Sequence, residues 1–161
     1  MKHLILFGLL LTTSLLAQDL QIKSKTFHAD EKSGISVFEG DVNIIKASDE
    51  LNASKVTVYT DDKNQPTKFI AEGKASFTIL TEEGSLYKGK AHKVVYLPNE
   101  KEYRFFKNVH LKQINEKKEI IGDEVILKTI DGKAYAKGDK EKPVIMIFKM
   151  PKKDDKKNDK K

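Results

Sequence analysis

The chain has 161 residues, a formal net charge of +6, 39% hydrophobic and 34% charged residues, and no cysteine, so disulfides and thiolate chemistry are excluded. Of that charge, Lys2 carries one unit and the segment from Pro151, with six Lys against three Asp, carries three, which leaves the body between them at +2. A nearly balanced body argues against nucleic acid, because strong phosphate binders concentrate Lys and Arg on a folded face.

Residues 1–17 read as a secretory signal: Lys2 supplies a positive start, Leu4 to Leu16 an apolar stretch, and Ala17 before Gln18 a small residue at the cut. The stretch is too short to cross a bilayer core of about 30 Å, which makes a retained anchor the weaker reading. The mature protein is then expected to start at Gln18 and to be exported.

From Gln18 to Met150 the chain is strand-like, and four copies of one degenerate pattern fill it. Their opening halves are led by small residues: Ser24-Lys25-Thr26-Phe27, Ala53-Ser54-Lys55-Val56, Ala91-His92-Lys93-Val94 and Gly122-Asp123-Glu124-Val125. The leaders recur after 29, 38 and 31 residues, a spacing expected of stacked units that cannot bury their apolar faces alone. The closing halves, Phe38-Glu39-Gly40-Asp41-Val42, Phe69 to Ala75, Phe106-Lys107-Asn108-Val109 and Tyr135-Ala136-Lys137-Gly138, place Gly or Asn after an aromatic residue. A residue tolerant of positive φ at that place lets a strand bulge, although any single one also fits a hairpin turn.

The separators carry turn chemistry, as in Glu31-Lys32-Ser33-Gly34, Asp61 to Pro66, Glu82-Glu83-Gly84, Pro98-Asn99-Glu100, Asn115 to Lys118 and Asp131-Gly132. Their spacing predicts a dozen or more short antiparallel strands in one domain spanning 18–150, hence an all-β sandwich, jelly roll or solenoid. The last strand, Val144-Ile145-Met146-Ile147-Phe148, is apolar throughout. It is expected to be buried on both faces or to form a sheet edge that another chain extends, with Ile145 and Ile147 at the junction. Residues 151–161 contain nothing apolar to pack and read as a disordered, Lys-rich tail.

The catalytic inventory is thin. His28, His92 and His110 have no second His or Cys at a ligand-like spacing, so no metal site is indicated. Neither a nucleophile elbow nor a phosphate-cradling glycine loop is present, and neither an enzyme nor a cofactor is expected. The apolar strand positions are more informative: Phe38, Val42, Ile44, Val56, Val58, Phe69, Phe77, Ile79, Val94, Tyr96, Phe105, Val109, Leu111, Val125 and Leu127. They form an ordinary core, or they line an inner surface left partly open to an elongated apolar ligand.

The string at 38–42, preceded by Ser24-Lys25-Thr26-Phe27 and followed by Leu51-Asn52-Ala53-Ser54-Lys55-Val56, resembles the OstA-type repeat of the LptA family of lipopolysaccharide export proteins. The resemblance covers roughly residues 20–148. It departs from the family pattern in having Asn108 where Gly is usual, and in its Lys-rich tail. It implies a V-shaped, twisted β-jelly roll of about sixteen short antiparallel strands. It further implies a periplasmic bridge that holds the lipid A acyl chains of lipopolysaccharide (LPS) in an apolar groove, with the fifteen apolar residues above as groove lining. The implied partners are an LptC-like inner-membrane export complex at the N-terminal edge, an LptD-like outer-membrane translocon at the C-terminal edge, and further copies joined head to tail. Alternatives are a membrane-anchored LptC-like transfer subunit, a structural or adhesive β-repeat protein with a closed interior, and an exported hydrolase.

Overall fold

A computed structural model describes residues 19–151, so the expected signal and all of the expected tail except Pro151 lie outside the described residues. Ten antiparallel strands follow one another: β1 (Leu20–Lys23), β2 (Thr26–Asp30), β3 (Ile35–Lys46), β4 (Asp49–Thr60), β5 (Pro66–Leu80), β6 (Leu86–Leu97), β7 (Glu102–Gln113), β8 (Lys118–Lys128), β9 (Ala134–Lys137) and β10 (Ile145–Phe148). They form one sheet in the order β1-β3-β4-β5-β6-β7-β8-β10, with β2 also on β3 and β9 also on β8.

Six of the strands are long, and the register between successive long strands shifts near their middles, between Glu39 and Val42, Asn52 and Lys55, Glu72 and Ala75, Lys90 and Lys93, and Phe106 and Val109. The bulged residues hold positive φ in consecutive pairs: Gly40 and Asp41, Gly73 and Lys74, Lys107 and Asn108. The aligned shifts crease the sheet into two leaves of eight segments each, sixteen in all. The first leaf runs from β1 through 42–46, 49–53, 75–80, 86–91, 109–113 and 118–122 to β10. The second runs from β2 through 35–39, 55–60, 66–72, 93–97, 102–106 and 124–128 to β9. A bulge bends a strand without ending it, which is why the sixteen short strands implied by the family resemblance are ten continuous ones.

The crease also explains the small leaders of the repeats. Val42 pairs with Ala53, Ala75 with Ala91 and Val109 with Gly122 where the leaves converge, and nothing larger than valine stands there. Away from the crease larger side chains fill the gap. Ile22, Ile44, Leu51, Phe77, Gly89, Leu111, Ile120 and Met146 form one inward row of the first leaf. Phe27, Phe38, Val56, Ala71, Val94, Phe105, Val125 and Ala136 form the facing row of the second.

The leaves meet through stacked Phe77 and Phe105, with ring centroids 4.3 Å apart. Gly89 makes room for that stack, since a Cβ there would stand 2.8 Å from Phe77 Cζ and collide with the His110 carbonyl. The core is sealed around β6, β7 and β8, where Phe105, Leu111, Val125 and Leu127 have no exposed surface. At the two ends of the sheet the rows run out into solvent: Phe27 is 62% exposed, and all four residues of β10 are exposed. The last strand is therefore an edge, the second of the two states its composition allowed.

Candidate functional site

All fifteen apolar positions singled out in the sequence face inward between the leaves. They do not share one environment. Val42, Val56, Val94, Phe105, Val109, Leu111, Val125 and Leu127 are exposed by 1% or less and pack into the sealed core, with Val58 beside them. Toward β1, β3 and β4 the leaves part around a cavity of about 330 Å³ lined by Ile44, Phe69, Phe77, Ile79 and Tyr96, of which the first four remain buried, Ile79 as fully as the core, and Tyr96 is partly exposed. Phe38 does not line this cavity; it continues the inward row of the second leaf against Phe27, with centroids 4.9 Å apart.

The cavity is also lined by Leu20, Lys46, Asp49, Leu51, Pro66, Pro98 and Tyr103, which the sequence reading left out. Leu51 and Tyr103 had a detectable signal, because each lies two residues from an inward residue, Ala53 and Phe105, on the same unbroken strand segment. Asp49 and Lys46 had none, since polar residues flanking a tight turn look solvated.

These polar residues join the leaves at the rim opposite the crease. Tyr103 donates its hydroxyl hydrogen to Asp49 Oδ2 at 3.1 Å, the Leu80 N–H donates to Asp49 Oδ1 at 2.9 Å, and Lys46 Nζ donates to Tyr96 Oη at 3.3 Å. The two tyrosine rings stack with centroids 4.3 Å apart. Burial pushes the Asp49 carboxyl above its ordinary range, against the pull of the Leu80 and Tyr103 hydrogen bonds and of Lys46, and pushes the Tyr103 phenol well up.

Beyond this clasp lies a second cavity of about 410 Å³ with polar walls that include Ser48, Thr81, Glu82, Lys101 and Thr129. Farther toward β8 the rim is stapled shut. The Glu82 N–H donates to the Thr129 carbonyl, the Thr129 N–H donates to the Lys101 carbonyl, and Lys101 Nζ reaches Glu82 at 2.5 Å.

The result is a trough open at one end and closed in its middle, apolar within and polar along its lip. By area burial such a surface can take up a flexible hydrocarbon chain, with room for a polar head near the lip. Among the described residues, no group of three His, Cys, Asp or Glu could hold a metal ion, and no helix is long and apolar enough to cross a membrane.

A family described as LptA/(LptD N-terminal domain) LPS transport protein matches residues 21–133. Among solved structures, LptH of Pseudomonas aeruginosa, described as the LptA-homologous periplasmic component of its lipopolysaccharide transport device, superposes with a TM-score of 0.73 at 17% identity. That match covers 83% of this chain and 96% of LptH, and at this identity it establishes a shared creased-sheet fold. No curated protein sequence matches. The family match spans β1 to β8, which build most of both leaves, and the chain belongs to the LptA/LptD N-terminal domain family of lipopolysaccharide transport proteins.

Proposed function

We propose that this protein is a non-enzymatic periplasmic carrier that receives lipopolysaccharide from an LptC-like inner-membrane export complex and passes it toward an LptD-like outer-membrane complex. The observation that carries this reading is the parting of the leaves at the β1, β3 and β4 side, where inward apolar rows continue past the sealed core into an open cavity. LPS acyl chains occupy the trough formed there by Ile44, Phe69, Phe77, Ile79 and Tyr96 and continued by Phe38.

Energetics favour an open trough over a closed pocket. Full burial at about 0.8 kcal/mol per methylene would hold a chain of about twelve carbons by roughly 10 kcal/mol, and several such chains would scarcely leave. Partial burial keeps exchange fast enough for transit. The exposed terminal edges support head-to-tail assembly, with β1 and β2 of one copy beside β9 and β10 of the next, and Ile145 and Ile147 at the junction.

Photo-crosslinking residues introduced at Phe38, Leu51, Phe77 and Tyr96 should capture LPS in cells, whereas Lys93, which points outward from the second leaf, should not. Failure at all four inward positions, or equal capture at Lys93, would overturn the carrier reading.

A further inference from the structure

The outer faces of the two leaves differ in how they arrange charge. On the second leaf, basic groups meet acids across or along the strands: Lys55 reaches Glu39 at 3.1 Å, Lys93 reaches Glu72 at 3.8 Å and Arg104 reaches Glu102 at 2.6 Å. On the first leaf, exposed Lys88 pairs directly with exposed Lys112, one step from Lys90 opposite His110. Like charges directly opposite each other destabilise a sheet. Lys112 has only Glu119, at 3.8 Å, and among the described residues neither Lys88 nor Lys90 has an acid within ion-pair distance.

An apolar strip borders this basic band. Leu80 pairs with Leu86, both at outward positions of β5 and β6, and the N–H of Ile114, the first residue after β7, donates to the Leu86 carbonyl, so the three stand in a row at this end of the first leaf. Leu80 is 41% and Ile114 44% exposed, and Leu86 is half-buried. Two residues along a strand separate this strip from Lys88 and Lys112, about 7 Å. Apolar side chains of interfacial proteins sit roughly 5–10 Å into the boundary between headgroups and acyl chains, with basic side chains at the phosphates above them.

We propose that the strip of Leu80, Leu86 and Ile114, backed by Lys88 and Lys112, seats the protein on an anionic phospholipid bilayer. Charge complementarity selects this occupant, because the facing lysines repel each other in the free protein, with Glu119 offsetting only Lys112 at 3.8 Å, and a negatively charged surface relieves that repulsion. Leu80 also lines the polar cavity at the lip of the trough, so this seating brings the lip to the membrane surface.

Flotation of the purified protein with vesicles of phosphatidylcholine, with and without phosphatidylglycerol, tests the proposal without LPS. Binding should require phosphatidylglycerol and weaken with salt. Lys88→Gln with Lys112→Gln should lower partitioning about 25-fold, since each surface Lys contributes roughly a factor of five. The same double variant should melt no lower than the parent, because it relieves a like-charge pair; Leu80→Ser should weaken binding without changing its salt dependence. Equal partitioning of parent and variants, or none by the parent, would overturn the seating. Since no LPS is present, that outcome leaves groove crosslinking at Phe77 and Tyr96 untouched.

Discussion

Tyr103 donates a hydrogen bond to Asp49 across 3.1 Å, tying β7 of one leaf to β4 of the other at the lip of the trough. Because burial lifts the Asp49 carboxyl above its ordinary range, the folded chain holds this proton more tightly than the unfolded chain does. Stability from this group is therefore full in acid and falls as pH rises from the ordinary carboxylate range through the raised folded value. Tyr103→Phe removes a bond that pulls the carboxyl down, so it should widen that window and cost about 1–2 kcal/mol at neutral pH. Urea midpoints across a pH series should show the deficit shrinking in acid; a pH-independent loss would contradict the assignment.

Inward residues should divide into two classes. Phe105 is fully buried, and Phe105→Ala should cost about 3–5 kcal/mol in chemical denaturation. Leu51 borders the cavity and is only partly buried, so Leu51→Ala should cost under about 2 kcal/mol while reducing LPS capture. Equal stability losses at the two positions would mean that the cavity is closed in solution.

Gly89→Val should cost at least about 3 kcal/mol, because the added side chain meets both Phe77 and the His110 carbonyl with no space to yield. Near-ultraviolet circular dichroism should report the disturbed Phe77–Phe105 stack alongside a lower melting temperature.

The crease depends on backbone that L-residues adopt with difficulty. Gly73 has φ of 86°, and a Cβ there would stand 2.5 Å from Ser54 Oγ, so Gly73→Ala should destabilise by about 1–3 kcal/mol. A thermal melt checks this, and an unchanged midpoint would show that the bulge is not strained.

Ile145→Lys together with Ile147→Lys should abolish concentration-dependent association in sedimentation velocity and leave the monomer's melting temperature within about 2 °C of the parent, since both residues are exposed on an edge strand.

Strand content, the turn positions and the inward apolar residues were legible because alternation and turn chemistry are local. Parity across the bulges was harder. In β4 the inward positions change from odd to even, Leu51 and Ala53 giving way to Val56 and Val58; β6 changes likewise, and β8 changes from even to odd, Ile120 and Gly122 giving way to Val125 and Leu127. In β5 the bulge preserves parity, from Phe69 and Ala71 to Ala75 and Phe77. The recurrent aromatic–Gly pattern marked three of these bulges, at Gly40, Gly73 and Asn108, but Gly138 of the fourth copy lies between β9 and β10 without positive φ. The apolar residues gave no sign of which would be sealed and which left open, because that depends on the stapling of Glu82, Lys101 and Thr129, residues far apart in the chain.

A sheet creased across all of its long strands separates two dimensions that most small domains couple. The depth of the space between the leaves is fixed by how far each strand runs beyond the bulge, whereas the sheet lengthens by about 4.8 Å with each strand added, roughly 34 Å from β1 to β10. Duplicating one hairpin would lengthen the sheet without altering its cross-section, and joining copies edge to edge would achieve the same extension with no change to the gene.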